Sequence, residues 1–190
     1  MTERATWDRR HAEAKPPAPP SDFVAAQVRA CAEARPGGRA LDLACGSGRH
    51  SRLLADLGFR VIAVDFAASA VARVVTFPGR IYGVVADASE LPLRHGAFDL
   101  VVQSCFLDRS VFGGLGSLLR PGGILVAETF SVAQFEATGH PRREFCIEPG
   151  EFERLCEISG PGLEVFDSAT STRGADGQRR HLEGVAARRP

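Results

Sequence analysis

The sequence predicts an α/β fold: a doubly wound, mostly parallel sheet of seven strands with a C-terminal antiparallel hairpin. Three observations predict it. Short apolar runs alternate with helical stretches from Ala40 to Ala127. The runs are nearly continuous in apolar character, as strands covered on both faces require. The last two runs are separated by turn residues alone, with no helix between them.

The elements follow in order. Met1 to Lys15 is polar and suits a short helix, which Pro16-Pro17-Ala18-Pro19-Pro20 stops, because proline lacks a donor and restricts its predecessor. Ser21 suits the N-cap of an amphipathic helix from Asp22 to Arg35, with Phe23, Ala26, Val28 and Ala30 for burial, ended by Pro36-Gly37-Gly38. Ala40–Leu43 is the first strand, followed by a glycine-bearing turn and a helix through Leu53, Leu54 and Leu57 that Gly58 closes. Val61–Val64 is the second strand, Ala67–Val75 a short helix, Ile81–Val85 the third strand and Phe98–Val102 the fourth. A helix ending near Leu119 precedes Pro121-Gly122-Gly123, and Ile124–Ala127 is the fifth strand. This succession implies right-handed crossovers. Leu163–Phe166 and His181–Ala187 flank Arg173-Gly174-Ala175-Asp176-Gly177-Gln178 and form the hairpin. No internal repeat or second core is evident.

Composition narrows the function. The chain has 190 residues with 23 basic and 23 acidic side chains, 44% hydrophobic, and a formal net charge of zero. That size suits one domain with short terminal additions, and the neutral balance gives no footprint for a phosphate backbone, so no nucleic acid partner is expected. Lys15 is the one lysine; the other basic residues are arginines. No apolar run reaches the ~20 residues of a membrane span, and no signal-like stretch follows Met1. The five cysteines are scattered and odd in number, without metal-ligand spacing, which predicts free thiols, no metal and a cytoplasmic location.

The chemistry concentrates at Leu41-Asp42-Leu43-Ala44-Cys45-Gly46-Ser47-Gly48-Arg49-His50. Two glycines between a strand and a helix let the backbone approach a ligand and leave helix N–H groups for an anionic group. A dinucleotide fingerprint places a third glycine at position 51, which is Ser51, and Asp42 would repel a pyrophosphate. A ligand with an ammonium, a carboxylate and a ribose fits better. Asp65, 17 residues beyond Gly48, ends the second strand and is placed to accept both ribose hydroxyls. Asp87 follows the third strand, within reach of an adenine amine. All three acids fall at carboxyl ends of adjacent strands, where open α/β sheets bind ligands.

These pieces, LDLACGSG, VIAVD, VVADASELPLRHGAFDLVV and LRPGGILVAETF, resemble the class I S-adenosylmethionine-dependent methyltransferases, built on a Rossmann-like sheet. More narrowly, Trp7-Asp8-Arg9-Arg10-His11, Glu128-Thr129-Phe130 and Phe145–Phe152 resemble the small tellurite-resistance-type methyltransferases. The resemblance implies S-adenosylmethionine as cofactor and a binding set of Asp42, Ala44, Gly46, Ser47, Gly48, Asp65, Phe66, Asp87, Ala88 and Gln103. In it Gly46–Gly48 hold the methionine moiety, Asp65 the ribose and Asp87-Ala88 the adenine, and Gln103 lies beneath the sulfonium. It also implies residues 1–20 as an N-terminal lid or extension and 21–190 as the methyltransferase domain. The sequence departs from the family in a short stretch between Asp65 and Asp87, and in Arg10-His11 where relatives often have Arg-Tyr.

An activated sulfonium methyl needs alignment more than acid or base, which accounts for a cofactor site without an evident catalytic dyad. Asp108, Arg109 and His50 are the topological candidates should a base be used; Cys45 and Cys105 read as small fillers. The substrate-facing elements are the N-terminal segment, Gln103–Ser110 and the loop from Phe130 to Glu151. Gln103-Ser104-Cys105-Phe106 stands where nucleobase amino-methylating enzymes have Asn/Asp-Pro-Pro-Tyr/Phe, which points to a small-molecule methyl acceptor. Two alternatives stay open: a non-catalytic S-adenosylmethionine-binding scaffold or sensor, and an NAD-dependent oxidoreductase.

Overall fold

The computed structural model describes residues 3–13, 18–175 and 178–190. The chain opens with α1 (Glu3–Ala12), then α2 (Asp22–Ala34), whose Val24 N–H donates to the Ser21 hydroxyl at 3.3 Å. The buried stripe of α2 is Val24, Val28 and Cys31 with Phe23 partly covered; Ala26 and Ala30, expected inside, are exposed. One helical face carries positions i, i+4 and i+7, and the larger side chains claim it.

The alternation then runs as predicted: β1 (Arg39–Leu43), α3 (Arg49–Asp56), β2 (Arg60–Asp65), α4 (Ala68–Val74), β3 (Ile81–Val85), β4 (Phe98–Ser104), α5 (Arg109–Leu118) and β5 (Leu119–Phe130). β5 begins five residues before Ile124, because Leu119 already pairs with Phe98 and the register then shifts across Pro121-Gly122-Gly123 before Ile124 meets Leu100. Such a bulge accommodates a proline that cannot donate to the ladder. Two helices follow that the sequence does not announce: α6 (Val132–Thr138), inside the stretch read as a loop from Phe130 to Glu151, and α7 (Glu151–Ile158), which starts where that stretch ends. Both are short, so periodicity is a weak signal for either.

The hairpin is β6 (Glu164–Ala175) and β7 (Gln178–Arg188), far longer than the two apolar runs that announce it, since Ser, Thr and Arg positions pair along its length. The central turn residues Asp176 and Gly177 lie outside the described residues, as do Ala14–Pro17 of the proline-rich segment.

Strand order is β3-β2-β1-β4-β5-β7-β6, parallel through the first five, with β7 antiparallel between β5 and β6. Alternate residues of each strand feed two cores. Ala40, Val61, Leu100 and Val102 pack with Val24, Val28 and Leu54 on the α2/α3 side. Leu41, Leu43 and Val101 pack with Phe112, Leu115 and Phe152 on the α5/α7 side. From β1 the chain winds outward through β2 to β3 and then crosses back to set β4 on the other side of β1, so a crevice opens at the carboxyl ends of β1 and β4 where the winding reverses.

Candidate functional site

The turn from β1 into α3 is made by three left-handed residues, Ala44 (φ 55°), Gly46 (φ 51°) and Gly48 (φ 81°). Gly48 also has no room for a side chain: a Cβ there would lie 2.7 Å from Phe77 and 2.8 Å from Val74. The amides of this turn are mostly engaged from within. The Gly46 N–H donates to Asp65 at 2.9 Å and the Gly48 N–H to the Cys45 carbonyl at 2.9 Å. No hydrogen bond engages the Ser47 N–H among the described residues, so the anion-holding role read from the sequence has an amide available there, while those of Gly46 and Gly48 are taken.

The three acids lie on adjacent strands in a rising line. Asp42 pairs with Ala63, two residues below Asp65, and Asp65 pairs with Val85, two residues below Asp87. Each step is about 7 Å along the sheet, so the line suits an elongated ligand rather than one point charge. Their environments differ. Asp42 is buried and accepts from the hydroxyl and backbone N–H of Ser51; burial still pushes its carboxyl up to about 6. Ser51, standing where a third glycine would be, thus ties β1 to the first turn of α3. Asp65 is also buried, its two oxygens taken by the N–H groups of Gly46 and Ala67, each at 2.9 Å. Asp87 is exposed and caps the 3₁₀ turn Ala88–Glu90 through one oxygen, which accepts from the Ser89 N–H and hydroxyl; the latter bond holds its carboxyl below the ordinary range. Phe66 and Ala88 flank these acids half-buried.

Gln103 sits within β4, paired with Leu43, and by strand alternation projects on the α5 face, opposite Asp42. Its amide nitrogen donates to the Phe106 carbonyl at 2.9 Å, while its oxygen is buried with no hydrogen-bond partner among the described residues. Just past it, exposed Cys105 takes a left-handed conformation (φ 56°), and the Arg49 guanidinium reaches its sulfur at 3.3 Å and the Ser104 hydroxyl at 2.9 Å. Cys105 is therefore a tip residue rather than a filler, whereas Cys45 is buried, its thiol pushed far up by desolvation.

Sequence reasoning gave α1 no anchor, yet it docks on the start of α4 and reaches the glycine turn beside this crevice. The Asp8 carboxylate accepts the Ser69 N–H at 3.0 Å at the start of α4, whose own N-cap, Ala67, offers no side-chain acceptor. His11 then lies over the glycine turn, 3.2 Å from where a Gly46 Cβ would stand, and burial pulls its imidazole below the ordinary value despite the nearby Asp65 charge. The signal was present in retrospect: a helix without a cap and an aspartate in a distant polar segment.

None of the candidate bases stands free. Asp108 caps α5, accepting from Ser110 and Val111, and Arg109 is ion-paired to Glu151 while donating to the carbonyls of Glu144 and Cys146. Arg109 thereby fastens the 144–151 segment to the tip of the sheet. His50 is buried in the first turn of α3. Among the described residues no group of His, Cys, Asp and Glu forms a metal site, all five cysteines are free, and no helix is long and apolar enough to cross a membrane.

Comparison with known proteins bears on this arrangement. Residues 40–123, from β1 into β5, match the methyltransferase domain family. A demethylmenaquinone methyltransferase of Beutenbergia cavernae is 43% identical over 113 residues, 55% of this chain and 47% of that protein. A ubiquinone biosynthesis O-methyltransferase of Xanthomonas campestris is 36% identical over 123 residues, 58% of this chain and 48% of that one. The chain thus spans about half the length of these curated relatives. The N-methyltransferase NodS of Bradyrhizobium japonicum, solved with S-adenosyl-L-homocysteine, superposes over 100% of both chains with a TM-score of 0.70 at 16% identity. The [4+2]-cyclase SpnF also reaches 0.70, over 94% of this chain and 85% of its own at 17% identity, so the fold alone fixes no reaction. Residues 40–123 are a methyltransferase domain match carried on a Rossmann-like, doubly wound sheet.

Proposed function

We propose that the protein is a class I methyltransferase that binds S-adenosylmethionine in the crevice above β1, β2 and β4 and methylates a small molecule. The observation that carries this reading is the rising line of Asp42, Asp65 and Asp87 beside the Gly46–Gly48 turn. The residues fit the cofactor in one further respect: the buried Gln103 oxygen lacks a donor, and a cationic group supplies what such an acceptor needs. When bound, S-adenosylmethionine supplies a methyl group already activated on a sulfonium.

The chain's own residues hold and orient. Each Asp65 oxygen has spare acceptor capacity beyond its one N–H bond, enough for ribose hydroxyls. Asp87 has a second oxygen free of the Ser89 contacts, suited to an amine donor. Ser47 offers its N–H to a carboxylate. Residues 1–20 act as the lid of a domain that runs from 21 to 190, with His11 over the turn, and α1 together with the 144–151 segment excludes water. These are also the segments that carry the tellurite-resistance-type resemblance, and their convergence on the carboxyl end of the sheet supports it.

The acceptor is a small molecule: the named activities of the curated relatives concern quinone precursors and a carrier-bound malonyl group, and the chain carries no net positive charge of the kind that favours nucleic acid. Free thiols support a cytoplasmic location. An NAD-dependent reading is disfavoured by Ser51, which stands where the third glycine of a dinucleotide fingerprint would pack helix on strand and instead bonds Asp42, a carboxylate that would repel a pyrophosphate. Calorimetry tests the proposal: S-adenosylmethionine and S-adenosylhomocysteine bind with 1:1 stoichiometry and NAD does not. NAD binding without S-adenosylhomocysteine binding would overturn it. Transfer of a labelled methyl group to a panel of thiols, phenols, amines and carboxylates then separates enzyme from sensor.

A further inference from the structure

The molecule has a second polar basin at the opposite end of the sheet. A cavity of about 550 Å³ lies at the amino ends of β1, β2, β4 and β5, and its charged lining is Arg35, Arg39, Arg60, Arg120 and Asp99. That volume is within the roughly 300–1,000 Å³ usual for small-molecule sites. Its charge is unbalanced. The lone carboxylate of the lining, Asp99, is buried and its charge is already engaged: it accepts the Arg39 N–H at 2.8 Å and is ion-paired to Arg35 and Arg120.

Arg39 and Arg60 are left over. They are register partners on β1 and β2, so the parallel ladder sets their Cα atoms about 4.8 Å apart with both side chains on one face. Neither guanidinium has a hydrogen bond or ion pair among the described residues, and both are exposed. Like charges placed directly across a ladder repel, and a guanidinium's fork of donors matches tetrahedral oxyanions. Two uncompensated forks beside two more that share one carboxylate make a site for at least two negative charges.

We propose that this basin binds a doubly charged oxyanion, the phosphoryl group of a small molecule, at a site separate from the methyltransferase crevice. β1 runs about 13 Å from Arg39 to Leu43, which sets the two sites on opposite ends of the same strand. The inference stands on charge and register and does not depend on the reaction assigned to the crevice.

The test titrates the full chain with inorganic phosphate and with pyrophosphate, against sodium chloride at matched ionic strength. The wild type binds one equivalent, with a dissociation constant below about 1 mM. The R39Q/R60Q variant loses at least about tenfold in affinity. Without anion, the same variant melts at or above the wild-type temperature, because a repulsion has been removed. Absence of binding in the wild type, equal affinity in the variant, or a response that sodium chloride reproduces would overturn the site. So would a variant that melts well below the wild type, since the two arginines would then serve the fold.

Discussion

Asp65 and Gly46, 19 residues apart in sequence, are joined by a hydrogen bond of 2.9 Å from the glycine N–H to the carboxylate. The other Asp65 oxygen takes the Ala67 N–H at 2.9 Å, so one side chain ties the glycine turn to the entrance of α4. Hydrogen bonds to charged groups contribute about 1.5–3 kcal/mol each, and both donors would be orphaned by truncation. Asp65→Ala should lower the melting temperature by on the order of 10 °C as well as weaken S-adenosylhomocysteine binding. A loss of binding with unchanged melting would show that the clamp contributes nothing to stability.

Asp42 makes an opposite prediction about pH. Burial raises its carboxyl to about 6 from an ordinary 3.8. A group whose folded value lies above its unfolded one is favoured protonated in the folded state. Its penalty is absent at low pH, develops as pH rises through the window from 3.8 to about 6, and is complete above it. The full cost is on the order of 3 kcal/mol. Denaturation of Asp42→Asn and wild type at several pH values should show the gap moving in the variant's favour across that window and flat above it. A gap independent of pH would refute the assignment.

Gly48 is constrained twice, by φ 81° and by Phe77 and Val74 within 2.8 Å of a would-be Cβ. Gly48→Ala should destabilise by at least about 1–2 kcal/mol from the left-handed backbone alone. Adding Phe77→Ala opens space but leaves both that strain and Val74, so the double variant should remain less stable than Phe77→Ala alone. Full restoration would mean that the backbone strain is negligible.

Docking of α1 can be followed directly, because Trp7 is the one tryptophan in the chain and stacks on His11 at a centroid distance of 5.6 Å. The Ser69 N–H holds the Asp8 carboxyl below its ordinary value. The contact should therefore persist into mild acid and be lost as pH falls through that lowered value. Asp8→Asn should shift Trp7 emission to longer wavelength at neutral pH, as acid does for the wild type. Identical spectra in variant and wild type would show that Asp8 does not hold the helix.

The succession of strands and helices through β5, the covered parallel sheet, the terminal hairpin and the position of the glycine turn were legible in the sequence, because each depends on short-range pattern. Continuous apolar runs mark two-sided burial, and Gly46 and Gly48 mark a turn that other residues enter at a cost. Asp42, Asp65 and Asp87 were legible as strand-end acids for the same reason. Their partners were not. Whether Asp42 meets Ser51, whether Asp8 caps a helix 61 residues away, and whether Arg39 and Arg60 stand side by side depend on register and docking. Those relations are set by packing between elements distant in sequence, where side-chain chemistry states what a residue can bond but only the assembled sheet decides what lies within reach.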